Sequence, residues 1–153
     1  MIELTTEKII KIHDILMEID KGTDEYSPGV RDIGTLENFV YYQLNNNNNV
    51  FKNAAFALHS ITHRHAFYNA NKRTGFGIAS IILESERYFV NAKRQERLEY
   101  LLKIAQYETT VEEIEGWLIS NTRQMGKLQF KLHNIKNESI ISILSLILKI
   151  LRL

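Results

Sequence analysis

The chain has 153 residues, a formal net charge of +1, 44% hydrophobic residues and 24% charged residues. This length and balance favour one soluble globular domain with a substantial core. The near-neutral charge provides no basic footprint, so we expect no direct binding of nucleic acid. Cysteine is absent from the sequence, which excludes disulfides and zinc–thiolate sites. The first residues carry neither a basic segment nor an apolar stretch, so we expect no signal peptide and a cytoplasmic location.

Helical spacing of apolar residues dominates the chain, and one proline and seven glycines are few breakers. Thr5 or Thr6 can cap a first helix, which Gly22 follows. Thr110 and Glu113 form a capping box at the start of the last predicted core helix. The predicted helices span, in chain order, residues 7–20, 36–44, 50–64, 71–86, 93–105 and 111–123. The sequence therefore predicts an all-α fold.

Several shorter segments interrupt these helices. Residues 22–34 are expected to form a loop, in which residues 30–32 make a solvated turn, and Thr35 is expected to cap the next helix. The asparagines at 45–49 predict a mobile loop, and residues 88–90 are short enough to be extended. Gly75 and Gly77 lie inside a predicted helix, where each costs roughly 1 kcal/mol relative to alanine. We therefore expect close helix packing or a ligand at the backbone there.

The C-terminal tail, residues 139–153, is aliphatic except for a narrow stripe of serine, lysine and arginine. A helix from Ile140 would be roughly 21 Å long, short of the ~30 Å hydrocarbon core of a bilayer. We therefore expect no transmembrane span. The tail is predicted to be an apolar helix that packs on the core or mediates self-association, with an interfacial membrane helix as the alternative.

The stretch from His65 to Thr74 concentrates the residues that can do chemistry, and it directly precedes an apolar helical run. The start of a helix carries unpaired N–H groups and the positive end of the dipole, so it favours anions. Asn71, Lys72 and Arg73 at this start would form a phosphate cradle. A histidine titrates near neutral pH, so His65 can accept a proton from a reacting group.

A histidine metal site is the alternative interpretation of the same region. His59 and His63 lie one helical turn apart, and His65 follows closely. However, the sequence contains no HExxH pattern, and no carboxylate lies between Asn53 and Ala79 to complete a zinc site. A packed or hydrogen-bonded pair of His59 and His63 is therefore favoured over a metal hydrolase, and His13 is expected to be a structural or surface residue.

The loop resembles the signature of the Fic/Doc family, in particular its Doc (death-on-curing) branch, His-x-Phe-x-Asp-Ala-Asn-Lys-Arg-Thr. The matching residues are His65, Phe67, Ala70, Asn71, Lys72, Arg73 and Thr74. Residues 12–14, 28–32 and 110–118 add further likeness, so the resemblance covers roughly residues 2–124. It predicts a Fic/Doc-like domain over residues 1–124 and a C-terminal extension over 125–153.

The resemblance implies a helical bundle of about six core helices, here with an extra C-terminal helix. It implies that His65 is the general base and that Asn71, Lys72 and Arg73 bind the phosphates of ATP. The family uses Mg²⁺, held by an acidic residue whose place is taken here by Asn69. Family members also align the target chain at a flap, for which residues 41–50 are our candidate.

The Doc branch implies a more specific function. Its type member is a toxin that phosphorylates elongation factor Tu and arrests translation, and a cognate antitoxin protein restrains it. Lys72 in place of a glycine agrees with that branch. Two alternatives follow from the same resemblance: transfer of AMP, as in typical Fic members, or a catalytically impaired binding module, because Asn69 brings no negative charge.

Overall fold

Helices account for most of the residues that the computed structural model describes, which are 3–46 and 48–137. In chain order they are α1 (Thr6–Met17), α2 (Ile33–Asn38), α3 (Val50–Leu58), α4 (Asn71–Ser85), α5 (Arg94–Ala105), α6 (Val111–Ser120) and α7 (Lys127–Asn137). A 3₁₀ turn (Glu18–Asp20) extends α1, and π-helical turns follow α2 (Phe39–Leu44) and α3 (His59–His63). The predicted all-α class is confirmed, whereas the apolar helix predicted for residues 139–153 lies outside the described residues.

A two-stranded antiparallel ribbon joins the second half of the chain to α4. Strand β1 (Tyr88–Val90) pairs with β2 (Thr122–Gln124), with Val90 opposite Thr122. The expectation that residues 88–90 are extended is therefore confirmed. The helix predicted to reach residue 123 ends instead at Ser120, because the residues after it pair with β1.

Side-chain caps set the starts of several helices. Thr5 accepts a hydrogen bond from the Lys8 backbone N–H, and Thr110 caps α6 in the predicted capping box. The prediction that Thr35 caps the second helix is wrong. Asp32 caps it, since its carboxylate accepts from the Thr35 backbone N–H at 3.1 Å and from the Thr35 hydroxyl at 2.8 Å. Helix α2 consequently begins three residues earlier than predicted.

Helix α4 is the central element of the core. It packs against α1, α3, α5 and β1 and buries Ile78, Ile82 and Leu83. Gly75 faces the π-helical turn, where a Cβ atom would overlap the hydroxyl of Thr62. Close helix packing is thus the reason for a glycine at this position. Among the described residues, none of the helices has the length and apolarity needed to cross a membrane.

Candidate active site

The loop before α4 is held in shape by a buried asparagine. The Asn71 side chain accepts a hydrogen bond from the Phe67 N–H at 2.9 Å and donates one to the Phe67 carbonyl at 2.8 Å. His65 and Ala70, at the two ends of the loop, have the positive φ angles of 50° and 58°. Asn71 was predicted to bind phosphate. Its side chain satisfies both backbone groups of Phe67, and its backbone N–H lies in the first turn of α4, where helix N–H groups favour an anion, so phosphate binding stays a prediction.

Phe67 anchors the loop in the core through a contact with α1. Its ring is fully buried and stacks on the His13 ring, with centroids 3.8 Å apart and planes 5° from parallel. His13 Nε2 lies 3.1 Å from the Asn69 carbonyl, which can only accept, so Nε2 carries the hydrogen. Burial lowers the pKa of His13, which favours the neutral ring. His13 is therefore a structural residue, and it supports the motif directly.

Residues 30–32 hold the loop as well, while Arg31 and Asp32 are exposed, as the predicted solvated turn requires. Val30 pairs with Phe67 in an isolated antiparallel bridge. The Ala66 carbonyl accepts from the backbone N–H groups of Arg31 and Asp32, at 2.8 and 3.0 Å. Arg31 Nε further donates to the His65 carbonyl at 2.8 Å, and its Nη2 donates to the Arg64 carbonyl at 2.9 Å.

The ring of His65 is half-buried and has a defined hydrogen bond. Its Nε2 lies 3.0 Å from the carbonyl oxygen of Ala105, the last residue of α5. A carbonyl oxygen can only accept, so Nε2 carries the hydrogen and Nδ1 presents the lone pair. The Tyr107 ring lies beside it, with centroids 5.6 Å apart. His65 is thereby prepared to accept a proton at Nδ1.

The start of α4 offers several donors to an anion. Among the described residues no side chain caps this helix, and the Thr74 N–H is the first in the helix to bond backbone, at 2.9 Å from the Ala70 carbonyl. Lys72 is exposed, while Arg73 is half-buried and forms an ion pair with Asp20, in which Nη1 and Oδ1 are 3.5 Å apart. The predicted cationic pair is therefore present at a helix N-terminus, with one member already bound to a carboxylate.

Asn69, predicted as a magnesium ligand, lies beside a carboxylate that sequence reasoning did not find. Its Oδ1 accepts from the Ala70 N–H at 2.6 Å, and its Nδ2 donates to the Glu25 carbonyl at 2.6 Å. The same nitrogen lies 3.3 Å from Glu25 Oε2. Glu25 comes from the loop after α1, and nothing in its sequence context distinguishes it from other surface acids.

His59 and His63 form a packed pair, as favoured from the sequence. Their rings stack with centroids 4.3 Å apart, and the edge of His63 meets Tyr107. Burial, with a contribution from His63, lowers the pKa of His59 to about 4, so its ring is neutral at neutral pH. In the part of the chain that the structure describes, no group of three or more histidines and carboxylates could hold a metal ion. The metal-hydrolase alternative therefore has no support there.

A comparison with protein families agrees with this geometry. The model of the Fic/DOC family matches residues 3–83, slightly more than half of the chain. The match contains α1, α2, α3, the loop with His65 and all but the last two residues of α4, and it ends before α5. The chain belongs to the Fic/DOC family, whose members generally transfer nucleotide or phosphate groups to proteins. No curated protein matches the chain.

Proposed function

We propose that this protein is a Doc-like phosphotransferase, which moves the γ-phosphoryl group of ATP to a hydroxyl side chain of another protein. One observation carries the proposal. A single loop bears a histidine of defined tautomer at one end and, at the other, a helix start without a side-chain cap that carries Lys72 and Arg73. A proton acceptor and an anion site so arranged are the two parts that phosphoryl transfer to a hydroxyl needs.

The proposed reaction begins at His65. Nδ1 takes the proton of the target hydroxyl, and the hydroxyl oxygen forms a bond to the γ-phosphorus. The bond from that phosphorus to the oxygen bridging the β- and γ-phosphates breaks, and ADP leaves with the bridging oxygen. The bond from Nε2 to the Ala105 carbonyl persists throughout, because Nε2 keeps its hydrogen in both the neutral and the cationic ring.

The start of α4 would stabilise the charge on the transferred group. The N–H groups of the first turn point along the helix axis towards its N-terminus, and Lys72 and Arg73 add two positive charges. Asp20 holds the guanidinium of Arg73 in place through two of its nitrogens, and the fork of the guanidinium retains further donors for phosphate. Lys72, where typical Fic members have a glycine, fills space and adds charge, which favours a nucleotide pose for γ-phosphoryl transfer.

One carboxylate near the loop, that of Glu25, fits magnesium, which prefers oxygen donors and binds through one or two carboxylates together with substrate phosphates. Glu25 would hold the ion, whereas the Asn69 amide turns its nitrogen to Glu25 and its oxygen to the Ala70 N–H. When bound, the ion offsets the negative charge of the phosphates. Glu25 would thus supply the negative charge that Asn69 lacks.

The wider role follows from the likeness to Doc. We propose a cytoplasmic toxin that modifies elongation factor Tu or a similar translation factor and is restrained by a separate antitoxin protein. Expression in bacterial cells tests this part directly. Growth arrest that requires His65, and that coexpression of the neighbouring gene relieves, would support the toxin role. Normal growth of cells that accumulate the soluble wild-type protein would contradict it.

The transferred group is tested with ATP labelled at either the α- or the γ-phosphate, in the presence of magnesium and elongation factor Tu. We expect label only from the γ-position, and its loss in His65→Ala and Lys72→Ala. Lys103→Ala is a matched control, since Lys103 is also an exposed lysine on a helix. Label only from the α-position would establish AMP transfer instead. No label and no binding of magnesium–ATP, also after Asn69→Asp, would establish the impaired binding module.

A further inference from the structure

The end of α5 has an unusual residue in the position that usually belongs to glycine. The Tyr107 N–H donates to the Ile104 carbonyl at 3.2 Å, and the Glu108 N–H donates to the Lys103 carbonyl at 3.1 Å. These two bonds define a Schellman motif, whose central residue adopts the left-handed conformation. Tyr107 has a φ angle of 64°, which a residue with a Cβ atom rarely adopts. A tyrosine here needs a reason other than the backbone.

The same motif leaves one carbonyl of the last turn for another partner. The bonds of the Schellman motif engage the carbonyls of Ile104 and Lys103, but not that of Ala105. His65 Nε2 occupies this vacant acceptor at 3.0 Å, across a separation of 40 residues in the chain. The way α5 ends therefore determines which nitrogen of His65 carries the hydrogen.

The Tyr107 side chain supplies the second contact to that ring. Although 62% of Tyr107 is exposed, its ring lies against His65 at a tilt of 54° and meets His63 edge to face, with centroids 5.0 Å apart. A hydrogen bond at one nitrogen leaves the imidazole free to swing about that bond. A ring beside it limits this motion and keeps Nδ1 in one direction.

We propose that Tyr107 is a positioning residue, which together with the Ala105 carbonyl holds His65 in the Nε2–H tautomer with Nδ1 directed at the substrate. Both residues lie beyond residue 83, outside the region that matches the family model. Residues from the second half of the chain thus complete the candidate site around His65, which lies in the first half. The catalytic meaning of this arrangement rests on the proposed function, whereas the tautomer itself does not.

The tautomer is measured on the full chain labelled with ¹⁵N-histidine, by long-range ¹H–¹⁵N correlation spectra at a pH where the rings are neutral. The signals that disappear in His65→Gln identify His65. We expect one tautomer, Nε2–H, in the wild type and in Tyr107→Phe, which keeps the ring. In Tyr107→Gly we expect the same tautomer, because the Ala105 carbonyl remains, but broadened His65 ring signals, because the ring can swing about that hydrogen bond. The unfolding midpoint of Tyr107→Gly should not fall, because glycine adopts the left-handed conformation without strain. Tyr41→Ala, which removes another exposed tyrosine, should leave the His65 ring signals as sharp as in the wild type.

A proton on Nδ1 in the wild type, or His65 ring signals as sharp in Tyr107→Gly as in the wild type, would overturn the proposal. In the transfer assay we expect Tyr107→Gly to lower kcat by about 10- to 100-fold with KM for ATP unchanged, because only the base is misplaced. Tyr107→Phe, which keeps the ring, should have the wild-type kcat. If the His65 ring signals respond as expected but the wild type transfers no label, the proposed function fails and the positioning role of Tyr107 stands.

Discussion

Replacement of Gly75 by alanine probes the packing of α4 against the π-helical turn that precedes the motif. A Cβ atom at residue 75 would overlap Thr62 Oγ1, while the next nearest atoms, the Cβ atoms of Ile61 and Thr62, would lie at an ordinary 3.5 Å. The conflict is thus confined to one hydroxyl. That hydroxyl is buried and donates to the Asn71 carbonyl at 3.1 Å, so its displacement also disturbs the first turn of α4.

Three contributions decide the size of the effect. Forcing an extra methyl group into a packed core costs about 1–3 kcal/mol. Loss of the hydrogen bond from Thr62 to Asn71 costs about 0.5–1.5 kcal/mol. Alanine in place of glycine inside a helix gains about 1 kcal/mol. We therefore expect Gly75→Ala to lower the free energy of unfolding by about 1–3 kcal/mol, because the steric cost exceeds the gain in helix propensity.

Urea unfolding of four proteins isolates the cause: the wild type, Gly75→Ala, Thr62→Ala and the double variant. In the Thr62→Ala background the obstructing hydroxyl is absent and the remaining Cβ atoms are in normal contact. Gly75→Ala should then be neutral or stabilising by up to about 1 kcal/mol. Two further proteins, Thr62→Val alone and with Gly75→Ala, are the control, because the methyl group of valine keeps the bulk of the hydroxyl and Gly75→Ala should remain destabilising there. Equal effects of Gly75→Ala in all three backgrounds would refute the steric explanation.

Three further predictions concern single groups. Asn71→Ala should lower the free energy of unfolding in urea by about 2–4 kcal/mol, because it leaves both buried backbone groups of Phe67 without a partner; a loss below about 0.5 kcal/mol would contradict this. Asp32→Ala should lower the free energy of unfolding by about 1 kcal/mol, because the α2 cap is lost. Gln95→Ala, which changes an exposed side chain of α5, should lower it far less. The pKa of His59 is about 4 in the folded state and about 6.5 when unfolded. The unfolded state therefore binds the proton first, and stability should fall as the pH drops from 6.5 towards 4; a pH profile with the same slope in His59→Gln would contradict this.

The sequence by itself determined the local features of this protein. Apolar spacing located the helices, because a helix buries the same face every three to four residues wherever it lies in the fold. The caps at Thr5 and Thr110 were predictable because donor and acceptor are three residues apart. The residues of the loop were predictable in the same way, since His65 to Thr74 are contiguous in the chain.

Only the tertiary structure decided what those loop residues contact. The partners of the loop come from segments far away in the chain: His13 and Glu25 from the N-terminal region, and Ala105 from the end of α5. Periodicity and capping are local signals, and they carry no information on which distant carbonyl an imidazole will meet. The end of α6 at Ser120 was decided in the same way, by pairing with β1. The tautomer of His65 therefore depends on how the two halves of the chain pack together.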